Sequence, residues 1–163
     1  MKILYRDDDP NAYTDAFEFK KLHEGFIAKN QVHTVAVIMR DLWENHALFW
    51  YLATAPFLEI GLHGWEHIDY SLLGYDRCYG DLSKAIEYWE TNAKRMLKID
   101  ELPEQKKIKV FFAPWNKEGV AIREACNKLG LKFCNVKKGR WEDYEVKSFH
   151  WWSSTMKGNY RMV

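Results

Sequence analysis

Short apolar runs alternate with helical stripes along nearly the whole chain, and that alternation restricts the fold more than any other feature. Lys2–Arg6, His33–Met39, Leu58–Leu62, Ile108–Ala113, Leu131–Val136 and Val146–Trp152 are brief, rich in β-branched or aromatic residues, and read as strands. Between them Thr14–Ala28, Asp41–Thr54, Leu82–Ile99 and Gly119–Leu129 read as helices. The third is the most periodic, with Ala85, Ile86, Trp89, Ala93, Met96 and Leu97 on one side. Thr14 or Asp15 can cap the first, and Gly130 closes the last. The tail Met156–Val163 carries no clear signal. Strands alternating with helices imply a mainly parallel α/β fold, either an open doubly wound sheet or a (β/α) barrel. Polar residues favour the barrel. Asp7 and Asp8, His63 and His67, Pro114 and Trp115, and His150 each follow the end of a different apolar run. In a barrel those ends converge on one face. With five or six strands visible, the expected fold is α/β, a short or incompletely closed (β/α) barrel.

The 163 residues fit one domain, 1–163, and 47% hydrophobic residues without a low-complexity stretch exclude a disordered chain. Lys and Arg number 24 against 23 Asp and Glu, so no general charge draws the chain to a polyanion, and no nucleic-acid partner is expected. The start, Met1-Lys2-Ile3-Leu4-Tyr5-Arg6, lacks the pattern of a signal peptide, and no window approaches a membrane span. The expectation is therefore a cytoplasmic protein without a membrane partner. Cys78, Cys126 and Cys134 form no CxxC pair and read as reduced core residues. Oligomeric state is not legible. The eight Trp mostly read as core, but Trp65, Trp115, Trp151 and Trp152 stand beside polar candidates, where indoles can stack on sugar rings.

Two imidazoles four residues apart, in His63-Gly64-Trp65-Glu66-His67, can turn toward one point if the chain leaves a strand and starts a helical turn. A metal needs at least one further ligand, and Asp7-Asp8-Asp9-Pro10 offers carboxylates directly after the first strand. Each feature alone has an ordinary reading: a surface histidine pair, a helix-capping loop, a turn at Pro114-Trp115, a core histidine at His150. Their shared position at strand ends makes four coincidences a poor explanation.

Taken together these residues resemble the polysaccharide deacetylases of the NodB-homology type, carbohydrate esterase family 4. The family's TFDDGP motif lies over Tyr5-Arg6-Asp7-Asp8-Asp9-Pro10, and its HSxxH motif over His63-Gly64-Trp65-Glu66-His67. An RxPY-like motif is approached by Phe112-Ala113-Pro114-Trp115, and a late LxH motif by Ser148-Phe149-His150. The resemblance implies Asp7 as general base and Asp8, His63 and His67 as ligands of a divalent metal, most often zinc. It implies the backbone N–H of Trp115, beside Pro114, as oxyanion donor and His150 as the acid that protonates the leaving amine. Trp65 and Trp151 would contact an acetylated carbohydrate. The implied activity is metal-dependent removal of an acetyl group from an N- or O-acetylated sugar by an activated water.

The chain also departs from that pattern. Phe112 stands where the family has an arginine, and Arg6 is the candidate to replace its charge. Asp9 replaces a glycine, which leaves Asp8 and Asp9 as competing metal ligands, and Gly64 replaces a small hydroxyl residue. An alternative is therefore a catalytically weak or inactive relative that still binds metal and carbohydrate. A glycosidase using paired carboxylates would leave the histidines without a purpose.

Overall fold

The computed structural model describes residues 2–136 and 139–150. Seven strands form one sheet: β1 (Lys2–Asp8), β2 (His33–Val37), β3 (Leu58–Leu62), β4 (Val110–Phe112), β5 (Lys132–Cys134), β6 (Arg140–Trp141) and β7 (Tyr144–His150). Their order is β5-β4-β3-β2-β1-β7-β6, and every pairing is parallel except that of β6 with β7. Helices α1 (Ala16–Ile27), α2 (His46–Thr54), α3 (Tyr75–Leu97) and α4 (Val120–Lys128) complete the βα units.

Period-two alternation divides the sheet residues between two cores. On the helix side, Val35, Val37, Ile60, Leu62 and Phe111 join the main core with Trp89 of α3 and Phe49 of α2. On the other side, Ala36, Phe112 and Cys134 pack with Leu4, Val110, Val136 and Trp141. This second cluster fills the inside of a curled sheet. The rings of Phe112 on β4 and Trp141 on β6 lie 6.5 Å apart, and Lys132 of β5 reaches Glu142 beside β6 at 3.5 Å. Among the described residues no ladder joins β5 to β6. The fold is thus a nearly closed, unsealed seven-stranded (β/α) barrel, as the alternation predicts.

Several boundaries differ from the sequence reading for identifiable reasons. β1 continues past Arg6 through Asp7 and Asp8, because β2 and β7 flank it on both sides and pair those acids. The segment expected as one helix from Asp41 splits into a 3-10 turn and α2. Asn45 divides them: its side chain accepts from Leu48 N (3.1 Å) and donates to Ala12 O and Thr14 O (3.1 and 2.7 Å). α3 starts at Tyr75 rather than Leu82, its first turns being too polar to show an apolar stripe. The expected β7 spans Tyr144–His150, and the two-residue β6 carries no strand signal of its own. Trp151, Trp152 and the tail lie outside the described residues. No helix among the described residues is long and apolar enough to cross a membrane.

Candidate metal centre

The end of β1 sends consecutive acids in different directions. Arg6 and Asp8 lie on the inner face, where Arg6 Nη2 donates to Asp8 Oδ2 at 2.5 Å, both side chains being nearly buried. The guanidinium lies 5.3 Å from the centroid of the Phe112 ring, and its Nη1 donates to Asn116 Oδ1 at 3.1 Å. At Asp9 the strand has ended and the backbone turns left-handed, with φ 74. Aspartate is among the few side chains that tolerate this conformation. The turn is held by Asp9 N donating to Ala36 O (3.2 Å) and Asn11 Nδ2 donating to Asp9 O (2.7 Å). It aims Asp9 Oδ1 at His63 Nε2 and His67 Nε2, 3.3 Å from each.

The two histidines leave β3 in an equally fixed way. His63 N donates to Val37 O at 2.8 Å, continuing the β2–β3 ladder by one residue. Its ring is buried, and Nδ1 lies 2.7 Å from Phe112 O. A carbonyl can only accept, so Nδ1 donates to it and Nε2 is the ring nitrogen left facing Asp9. Gly64 then takes φ 106, and a Cβ there would fall 2.7 Å from both the Tyr70 ring and Glu66 O. Tyr70 explains the crowding: its hydroxyl accepts from Trp65 N at 3.0 Å, and burial pushes its pKa up. Met39 N and Arg40 N donate to Gly64 O and Trp65 O, fastening the loop to the exit of β2. His67 completes the set, its ring 5.0 Å from that of His63.

Asp9, His63 and His67 thereby offer three ligand atoms within 4.8 Å of one another. They line a cavity of about 570 Å³, together with Arg6, Asp8 and Trp115. Pro114 is buried at the exit of β4, and Trp115 follows it with φ 54, more than half exposed. Its ring meets His67 edge to face at 4.4 Å. β7 contributes Val146 and Ser148 to the opposite wall.

The geometry distributes the expected site residues over different parts of the barrel. The acid set between the histidines is Asp9; Asp8 shares the inner face with Arg6, two residues before it on the strand, while the left-handed turn beyond β1 aims Asp9 at the rings. Asp7, read as the base, points to the helix side of the sheet, fully buried, with Oδ2 3.8 Å from His33 Nε2, and it does not line the cavity. Trp65 packs on α3, its ring 5.3 Å from that of Tyr88 and beneath Lys84 Nζ at 3.9 Å, so it is not at the cavity either. His150 is paired with Asp8 along the β1–β7 ladder, a backbone position next to the cavity, while Trp151 lies outside the described residues. Sequence reasoning missed Phe112 O as the group that orients His63, since a backbone acceptor leaves no mark in residue type. It also missed Asn116, although an Asn after Pro-Trp is a turn signal.

No protein-family model matches the chain, and no curated protein matches it by sequence. Solved structures do. The family 4 carbohydrate esterase from Streptomyces lividans, in complex with acetate, superposes with TM-score 0.63 at 15% identity, over 81% of this chain and 60% of that one. The fold is that of the family 4 carbohydrate esterases. A family 4 pseudoenzyme from Bacillus anthracis matches with TM-score 0.62 at 15% identity, over 81% and 42% of the two chains. The Bc1960 peptidoglycan N-acetylglucosamine deacetylase matches with TM-score 0.59 at 13% identity, over 91% and 56%. The present chain therefore spans between 42% and 60% of the length of these esterase-fold structures.

Proposed function

We propose that this chain is a metal-dependent hydrolase that removes an acetyl group from an N- or O-acetylated sugar, with zinc as its ion. The observation that carries the reading is the convergence of Asp9 Oδ1, His63 Nε2 and His67 Nε2 in a cavity that also holds the Asp8–Arg6 pair. The donor set fits a divalent ion. One carboxylate and two imidazoles, one of them held in the tautomer that exposes Nε2, form a three-ligand set that leaves a coordination position open, as catalytic zinc sites require. When bound, such an ion lowers the pKa of water and polarises an acyl carbonyl.

The remaining roles belong to the chain itself. Asp8 is the general base. Arg6 occupies its Oδ2, while the buried Oδ1 makes no hydrogen bond among the described residues and keeps lone pairs for the proton of an attacking water. Arg6 thus supplies the charge absent at Phe112, reaching the Asp8 carboxylate from β1 beside the Phe112 ring. The backbone N–H of Trp115 faces developing oxyanion charge and its exposed indole stacks on the sugar. His150, adjacent to Asp8 in the ladder, returns a proton to the leaving amine or alcohol.

Acetate release from N-acetylated and O-acetylated sugar oligomers, measured on zinc-loaded wild type and Asp8→Asn, tests the reading. Release should fall by roughly 10²–10⁴-fold in the variant while its zinc content stays unchanged. Equal release by both proteins would remove Asp8 as base. Zinc and sugar binding without any release by the wild type would instead make the chain an inactive binding relative.

A further inference from the structure

We infer that Asn116 is a positioning residue: through Arg6 it ties the turn that carries Trp115 to the carboxylate of Asp8. Trp115 and Asn116 are successive left-handed residues, with φ 54 and 53. Neither is glycine, and a bulky indole in that conformation persists only where its surroundings impose it. The imposing contacts are on both sides. Pro114 is buried, Asn116 N donates to Ala113 O at 2.9 Å, and Lys117 N donates to Pro114 O at 3.2 Å. Lys117 Nζ reaches Asp69 Oδ2 at 2.6 Å, anchoring the far end of the turn to the loop beyond β3.

The remaining anchor is the side chain of Asn116, whose Oδ1 accepts from Arg6 Nη1 at 3.1 Å. Arg6 is 2% exposed and donates its other terminal nitrogen to Asp8. Its Nε makes no hydrogen bond among the described residues, so its terminal nitrogens set its direction, with the Cys134 thiol beside it. One planar guanidinium therefore fixes the relative placement of a carboxylate on β1 and a strained turn after β4. Asparagine suits the position because it combines tolerance of the left-handed region with a side-chain acceptor. Aspartate shares both properties, glycine only the first, and alanine neither.

That difference supplies the experiment. The effect on turnover rests on the deacetylase reading, while the structural tie does not, so two readouts are needed on the zinc-loaded full chain. The first is the indole N–H resonance of Trp115 in a ¹⁵N–¹H spectrum, assigned by its disappearance in Trp115→Phe. The second is kcat and KM for acetate release. Asn116→Gly should shift or broaden the resonance, lower kcat roughly tenfold to a hundredfold as positioning is lost, and raise KM as the indole leaves the sugar. Asn116→Asp should restore both. A wild-type resonance and kcat in Asn116→Gly would overturn the inference, as would an Asp variant that behaves like the Gly variant. If the wild type releases no acetate, the deacetylase reading fails. The resonance alone then judges Asn116: displacement in Gly with return in Asp upholds the tie, and no displacement rejects it.

Discussion

Two sets of one aspartate and two histidines lie on opposite sides of the same sheet, and only one is built to hold an ion. In front, Asp9, His63 and His67 meet at the cavity. Behind, Asp7, His33 and His23 are wholly buried between the sheet and α1, with His23 Nδ1 3.1 Å from His33 Nδ1 and His23 Nε2 2.8 Å from Pro56 O. The rings of His33 and Phe26 stack there at 4.2 Å. Residue types are the same in both sets; the destination of the ring nitrogens differs. In front, a backbone carbonyl holds only Nδ1 of His63 and leaves Nε2 facing a carboxylate and a cavity. Behind, the ring nitrogens of His23 face another ring and the backbone, inside an aromatic core. The front set brings three ligand atoms together at the cavity, whereas the rear set is taken up by the fold itself.

The contrast can be broken most forcefully by truncating one histidine on each side. His63→Ala should reduce zinc affinity at least tenfold to a hundredfold, because it removes a ligand outright, while the protein still folds. His23→Ala should leave zinc affinity unchanged and lower stability by about 2–4 kcal/mol, through a cavity and the lost partner of His33. Calorimetric zinc titration and urea denaturation read the two effects. A stable His23→Ala protein with impaired zinc binding would erase the distinction.

A subtler test acts on the orienting carbonyl. A Cβ at Gly61 would fall 2.3 Å from the Phe112 ring. Gly61→Ala should therefore cost about 1–3 kcal/mol and, by displacing β4, weaken zinc binding as well. An alanine variant as stable and as zinc-avid as the wild type would show that Phe112 is not needed where it lies.

The rear set should also reveal itself through pH. His33 is held well below the ordinary imidazole value of 6.5 by burial first and the nearby His23 second. Burial likewise lowers His23, opposed by its bond to Pro56 O and assisted by the charge of Lys106. Both regain the ordinary value on unfolding. Their contribution to stability is thus fully present above pH 6.5 and lost as pH falls through their depressed folded values. The melting temperature should decline across that window, and His33→Phe should flatten the decline. The smallest effect belongs to Tyr70→Phe, which removes the acceptor of Trp65 N beside Gly64 and should cost about 1 kcal/mol by denaturant titration.

Much of this was legible in the sequence, and the limits are instructive. The alternation of strands and helices gave the barrel, and His63 and His67 were readable because a pair four residues apart after a strand has few other geometries. The acids were not readable in the same way. Asp7, Asp8 and Asp9 are adjacent, so a one-residue change of register exchanges buried support, cavity wall and ligand position. Pleating separates Asp7 from Asp8, and the left-handed turn at Asp9, held by contacts from Ala36 and Asn11, decides the rest. Trp65 misled because its neighbours in sequence are at the site while its ring is captured by α3, a helix that begins ten residues later.

Under the proposed function the ion is held by Asp9 with the two histidines, and Asp8 serves beside it. The most direct test is metal content by elemental analysis after zinc loading and removal of excess, on wild type, Asp8→Asn and Asp9→Asn. The geometry predicts about one equivalent in the wild type and in Asp8→Asn, and little or none in Asp9→Asn, since the ligand set supplies one carboxylate. Retention by Asp9→Asn with loss in Asp8→Asn, or a wild type that holds no zinc, would contradict it.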